Sequence, residues 1–389
     1  MSVGNGQIQG NQPGIPFDDA RNCLTTGSGV RLSIAAGDRS KAPRRDLLHL
    51  AGAALRRTLA FLVSLAVTFV GLTAVTFLIS RLTRIDPVLA VVGDKATKAA
   101  YDNAFRALGL DQPLYVQYGI YLKRLLSGDF GMSVLTSQPV FTDLLRVFPA
   151  TFELATIATI MGVLVGVPAG VIAAARKGRW PDHVIRVVGL FGYSVPVFWL
   201  GLVGLFVFYG KLGWVGGTGR LDVFYQGIVT PRTGVILIDA ALDGEWEILA
   251  NAFSHLILPA SILGYYSLAY IARMTRSFMI DQLSQEYVTA ARIKGGSYWR
   301  AVWRHAFPNI MVPLITVIGL SYASLLEGAV LTETVFAWPG LGLYITRALF
   351  NSDMNAVLGG TVLIGAVFIG INQVSDLLYR LLDPRLRTN

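Results

Sequence analysis

Charge is scarce in this chain. Only 15% of its 389 residues are Asp, Glu, Lys or Arg, while 53% are hydrophobic, and the mean hydropathy is +0.54. A soluble protein of this length has no way to bury so much apolar surface, so composition alone predicts a multispanning membrane protein. Cysteine is almost absent. Cys23 stands alone, which excludes internal disulfides and cysteine-based metal centres. His49, His183, His255 and His305 are scattered and form no HExxH, so no zinc protease is expected. There is no GxxxxGK[ST] phosphate loop, so the chain itself is not expected to bind or hydrolyse ATP. Gly201 and Gly204 lack the serine of a nucleophile elbow. No catalytic residue and no metal site can be named. The net charge of +9 is read as cytoplasmic Lys and Arg, since no nucleic-acid-binding motif is present.

The apolar runs predict an all-α protein of six transmembrane helices. Residues 1–45 are polar, with no hydrophobic core of a signal peptide, and are expected to form a disordered cytoplasmic extension. The first span is Thr58 to Ser80, preceded by Arg44, Arg45, Arg56 and Arg57, which places the N-terminus inside. Residues 81–149 are polar and are expected to form a small helical insertion outside. The second span, Thr151 to Ala175, carries Gly162, Gly166 and Gly170 on one face, a pattern that lets another helix approach closely. Arg176, Lys177 and Arg179 follow and should be cytoplasmic. The third span is Val184 to Tyr209, then an acidic, Gly-rich outer loop from Trp214 to Asn251. The fourth is Phe253 to Ile271, the fifth Ile310 to Val330 and the sixth Ala356 to Leu378, with a basic tail inside. The short loops all obey the positive-inside rule under this assignment.

Between the fourth and fifth spans lies the stretch Ser284 to Pro313. It has the makings of two short helices broken at Gly295-Gly296. Gln285 to Ile293 forms one, with Ser284 as its cap and Glu286 in its first turn. Ser297 caps the second, which is expected to end at Phe307 before Pro308. Taken alone, this is either a docking element or a basic amphipathic connector on the inner leaflet.

The order Thr289-Ala290-Ala291, three residues, Gly295, then twelve residues to Pro308 resembles the "EAA" loop of ABC-importer permeases. Thr289 stands where the family name has Glu. Further stretches resemble the peptide and nickel branch: LeuGlyLeuAspGlnPro (108–113), GlyAspPheGlyMetSer (128–133), ProAlaThrPheGluLeuAla (149–155), ArgMetThrArgSer (273–277), GluThrValPheAlaTrpProGlyLeuGly (333–342) and AspLeuLeuTyrArgLeuLeuAspProArg (376–385). Each is weak alone; in this order across six spans they are specific. GlyTyrSerValProValPheTrp (192–199) and ThrGlyValIleLeuIleAsp (233–239) are most similar to DppB-type dipeptide permeases. Departures include the N-terminal extension, Ile85 where Gly is common before Asp86-Pro87, and Gly296 where a larger residue is usual.

The resemblance covers residues 55–387 and implies a type I (MetI-like) importer permease. It implies a second homologous permease, two cytoplasmic ATPase subunits that bind ATP and Mg, an extracytoplasmic substrate-binding protein, and surrounding lipid of a bacterial inner membrane. Residues 284–308 would be the coupling loop, with Glu286, Tyr287, Thr289, Ala290, Ala291, Arg292, Lys294, Gly295 and Pro308 at the ATPase. Di- or oligopeptides are the implied cargo; nickel, glutathione, opines or sugars are alternatives within the branch. A secondary transporter driven by an ion gradient remains the competing class, for which an internal repeat and buried acidic couplers would be needed. Glu327, with Ser324 and Ser321 about one and two turns before it, could line the pathway and meet a substrate ammonium group. The plainer reading is that Glu327 reaches water at the outer end. Asp376 and Arg380 are spaced to pair on one helix face, and Glu153 reads as interfacial.

Overall fold

The apolar runs fold as helices, the only open-ended way for a backbone to satisfy its own polar groups in hydrocarbon. The computed structural model describes residues 43–82, 87–93 and 96–382. They divide into two compact units at the boundary between Ala60 and Phe61. In the first, the chain is helical from Pro43, inside the stretch expected to be a disordered tail. Residues 1–42, Ile85-Asp86 and the basic tail from residue 383 lie outside the described residues, as do the side chains of Asp376 and Arg380.

The chain forms α1 (Pro43–Leu82), α2 (Pro87–Val92), α3 (Lys98–Ala107), α4 (Leu114–Leu126), α5 (Val140–Ala175), α6 (Trp180–Ser194), α7 (Val197–Gly204), α8 (Ile236–Asp243), α9 (Trp246–Leu283), α10 (Glu286–Ile293), α11 (Tyr298–Arg300), α12 (Phe307–Val335), α13 (Leu341–Phe350) and α14 (Met354–Leu382). Five stretches are long and apolar enough to cross a membrane: Phe61–Leu82, Val140–Ala175, Trp246–Leu283, Tyr298–Val335 and Met354–Ser375. A sixth is counted if the bent pair α6 and α7 is one span.

That pair covers the third span read from hydropathy, and the structure adds a bend to it. The two helices meet at 95°. Pro196 has no N–H to donate, and its ring drives Val195 out of the helical region, to φ −93° and ψ 126°. α7 then runs on as π-helix over Leu205–Lys211. The second span also differs. Its helix begins at Val140, after Pro139. At about 1.5 Å per residue, α5 is much longer than a hydrocarbon core of about 30 Å, so one end projects beyond it.

α5 and α9 form the central pair. A Cβ on Gly162 would lie 2.6 Å from Ser267 Oγ, one on Gly166 3.1 Å from Leu268 O, and one on Gly170 2.6 Å from Ala272 O. The three glycines therefore face α9 across backbone-to-backbone contact. α12 packs on this pair. One apolar cluster joins Leu154, Ala158, Leu256, Leu263, Leu325 and Trp338. A second, toward the other end, joins Val171, Ile271, Met279, Val288, Val302 and Ile310.

Candidate coupling site

The second cluster is where the loop between α9 and α12 is seated. α10 leans on it through Val288, 3% exposed, packed among the side chains that include Met279, Val302 and Ile310. Its neighbours on the helix face outward: Glu286, Tyr287, Thr289, Ala290, Arg292, Ile293 and Lys294 are exposed, and Ala291 is half-buried. Ile293 is 81% exposed, an apolar residue offered to water at the tip of a short helix.

Local chemistry fixes this pose. Gly295 takes φ +87° with open space around its α-carbon, the left-handed conformation that ends a helix and favours glycine. Gly296 has no room for a side chain, since a Cβ there would lie 2.7 Å from Ala291 O. That accounts for glycine where a larger residue is usual. Ser297 caps the following turn, its Oγ accepting from Arg300 N at 3.4 Å. Ser284 does not cap α10; its hydroxyl donates to Asp281 O at 2.8 Å, and Gln285 occupies the cap position without a side-chain bond. The preceding α9 runs on to Leu283, so Ser284 still belongs to that helix's end.

The expected stop at Phe307 does not occur. Tyr298–Val335 is one continuous helical rod, with π-helix over Ala301–Ala306 and Pro308 in the first turn of α12. The widened turn changes the hydrogen-bond pattern just where proline would otherwise leave a carbonyl unpaired. Pro308 thus sits within the rod, at its entry into α12.

Two ties lock α10 and α11 to the helix bundle, and a third joins the two to each other. Tyr287 Oη donates to Gln282 Oε1 and accepts from Asn309 Nδ2, both at 2.9 Å, bridging α9, α10 and α12. Tyr298 Oη donates to Ala175 O at 2.7 Å, occupying a carbonyl that the end of α5 leaves open. The Arg292 guanidinium lies 5.4 Å from the Tyr298 ring centroid. Behind them, the buried Asp182 accepts from Arg276 Nε at 2.5 Å and its terminal nitrogen at 3.0 Å, and from Gly178 N at 2.9 Å. This ion pair, which sequence reading did not single out, pins the start of α6 to α9. A push on α10 has stiff connections to α5, α9 and α12.

The residues assigned to the pathway lie elsewhere and split up. Ser321 is buried, its Oγ 2.9 Å from Ser267 Oγ, so it joins α12 to α9. Ser324 and Glu327 are exposed on α12, and Glu327 borders a narrow crevice with Phe148, Leu326 and Phe368. Glu153 is corrected more sharply. It is 3% exposed, not interfacial. Arg220 holds it at 2.5 Å and Leu237 N donates to it at 3.0 Å. Because α5 starts well before Thr151, Glu153 is several turns in, and the 212–239 loop folds over it.

A further buried carboxylate, Glu333, was not singled out from the sequence. It is fully buried and accepts from Thr151 Oγ1 at 2.6 Å and Leu343 N at 3.0 Å. Trp338 Nε1 donates to Ala150 O nearby at 2.9 Å. Glu333 heads the 333–342 stretch, so its pattern was visible in the sequence, but its partners come from α5 and α13.

Residues 166–388 match the family described as "Binding-protein-dependent transport system inner membrane component". Residues 54–155 match the N-terminal part of such components. This chain belongs to that family. Among its relatives is the "Probable D,D-dipeptide transport system permease protein DdpB" of Escherichia coli (strain K12), 44% identical over 322 residues, which are 83% of this chain and 94% of that protein. The "Di/tripeptide transport system permease protein DppB" of Pseudomonas aeruginosa (strain UCBPP-PA14) is 44% identical over 321 residues, 82% of this chain and 95% of that protein. The "Dipeptide transport system permease protein DppB" of E. coli (strain K12) is 39% identical over 322 residues, with 82% and 95% covered. As a binding-protein-dependent transport component of the inner membrane, the chain is a transport subunit and not an enzyme. Such components work with a binding protein and an ATPase.

Proposed function

We propose that this chain is one of two permease subunits of an ATP-driven importer that carries di- or oligopeptides delivered by an extracytoplasmic binding protein. The observation that carries the reading is the similarity to dipeptide and di/tripeptide permeases over nearly their whole length. A helix that turns its charged and small residues outward supports it, because a docking partner needs such a face. In this reading two cytoplasmic ATPases bind ATP and Mg, and one receives α10 through Glu286, Tyr287, Thr289, Ala290, Arg292 and Lys294. Ile293 would enter an apolar pocket there. Gly295 re-aims the chain, and Pro308 marks the return into α12.

Both ends of the chain lie in the cytoplasm under this proposal, and residues 81–149 lie outside with the 212–245 loop. The pathway runs along the exposed face of α12 that holds Ser324 and Glu327, opposite the second permease. ATP-driven closure of the partner moves α10, and the ties through Tyr287, Tyr298 and Arg276 pass that motion to α12, α5 and α9.

The test is uptake of a labelled dipeptide by the complex in vesicles, with the binding protein outside. Uptake is expected to need ATP inside and to persist when the proton gradient is collapsed. Uptake that follows the gradient and ignores ATP would establish the secondary-transporter reading instead.

A further inference from the structure

Among the described residues, a large cavity at the end of α1 plays no part in the transport reading. It lies between the end of α1, α4, the 129–137 turn and the start of α14, and holds about 620 Å³, within the range of small-molecule sites. Phe77, Tyr121 and Leu358 give it apolar and aromatic walls, while Arg81, Arg124 and Asp129 bring charge. None of these residues borders the Glu327 crevice.

Two polar atoms in its lining are buried without a hydrogen-bond partner: Arg81 Nε and Gln117 Oε1. Gln117 is 8% exposed. Its amide nitrogen already donates to Leu110 O and Gln112 O, at 3.2 and 2.7 Å, so the amide orientation is fixed and the oxygen is the atom left over. Buried polar atoms are almost always paired, so a spare donor and a spare acceptor in one cavity point to a polar occupant. The charges narrow its chemistry. Arg81 rests on the Phe77 ring at 5.1 Å, and among the described residues neither Arg81 nor Arg124 has a carboxylate partner. Asp129 uses Oδ1 for Gly131 N at 3.0 Å and has its second oxygen to spare. The occupant should carry an anion at one end, a cation at the other, and an N–H between them.

We propose that this cavity is a second ligand site that takes a short peptide, its terminal carboxylate against Arg81, its ammonium toward Asp129 and a backbone N–H on Gln117 Oε1. This rests on the reading that the chain serves a peptide importer, and deepens it: the permease itself holds cargo outside the α12 pathway.

The experiment is calorimetric titration of the purified complex, lacking its binding protein, with dialanine and with dialanine amide. Dialanine is expected to bind, and the amide, which lacks the carboxylate, at least tenfold more weakly. R81Q and Q117L are each expected to lose tenfold or more, and S80F, which fills the cavity without touching a charge, to lose binding altogether. Absence of dialanine binding to the wild type, equal binding of the amide, or loss of binding on adding phosphatidylethanolamine (whose zwitterionic head group would then be the true occupant) would each overturn the proposal. Should R81Q melt early, S80F and the amide comparison on wild type still decide. Uptake with the binding protein present is measured alongside. Uptake without permease binding sinks this inference alone; absence of both sinks the peptide reading as well.

Discussion

At the scale of single residues, the buried charges carry most of the information that the sequence concealed. Glu153 and Glu333 both occur in stretches that stood out as motifs, yet a motif does not say which carboxylate is covered. Arg220, the partner of Glu153, and Thr151, the partner of Glu333, are remote in the chain, while Leu343 lies beyond the turn that follows Glu333, and only folding brings them in. The Glu153–Arg220 pair makes a sharp prediction. Removing Arg220 leaves a buried carboxylate uncompensated, which costs about 3–5 kcal/mol. R220A should therefore lower the melting temperature of the purified protein more than the double variant E153Q/R220Q does. Equal losses would mean the pair is not coupled. Asp239 supplies a pH test. Burial pushes its carboxyl up, but donation from Thr233 N, Thr233 Oγ1 and Gly234 N outweighs this and holds it below its ordinary value of 3.8. A lowered folded pKa contributes stability that is present above the ordinary value and is lost as pH falls through the folded one. Protease cutting in the 230–239 turn should thus rise below pH 3.8, assayed with an acid-active protease. In D239N this rise should be absent, and cutting by a neutral-active protease should already be elevated over wild type at neutral pH.

At the scale of elements, hydropathy located every apolar run but not its ends or its bends. The α6–α7 corner was present as Pro196 all along; a window average of hydropathy carries no angle. Pro308 misled in the opposite direction, because a π-helical turn ahead of it keeps the rod unbroken. The glycine break after α10 was legible because a left-handed helix end favours glycine over any residue with a Cβ. Its φ of +87° makes G295A cost about 1–2 kcal/mol locally, and V288A should loosen the helix's seat by a similar amount, at about 0.8 kcal/mol per methylene removed from the cluster. Hydrogen exchange of the α10 amides should quicken in both variants while that of α5 and α9 stays as in wild type. Exchange that rises throughout the bundle would show that α10 is not a separately seated element.

At the scale of the whole molecule, the family and its all-helical, polytopic architecture could be read from sequence because they depend on composition, on the order of apolar runs and on a handful of spaced motifs. What the fold adds is a mechanical arrangement. A short helix, anchored by one buried valine and by tyrosine hydroxyls, sits where three long helices end, and shows an isoleucine to its surroundings. If that helix is the handle by which ATP is felt, I293D should leave melting unchanged and reduce ATP-dependent uptake at least tenfold.

The most direct measurement is recovery of the ATPase with this subunit from cells that express both, for wild type and for G295D combined with A291R. Those changes put charge and bulk at the end of α10, beside its proposed docking face, and leave the spans alone. The account predicts that the ATPase copurifies with wild type and is lost with the variant. Equal recovery with both would contradict docking through α10, and the stretch would then be a basic connector on the inner surface of the membrane.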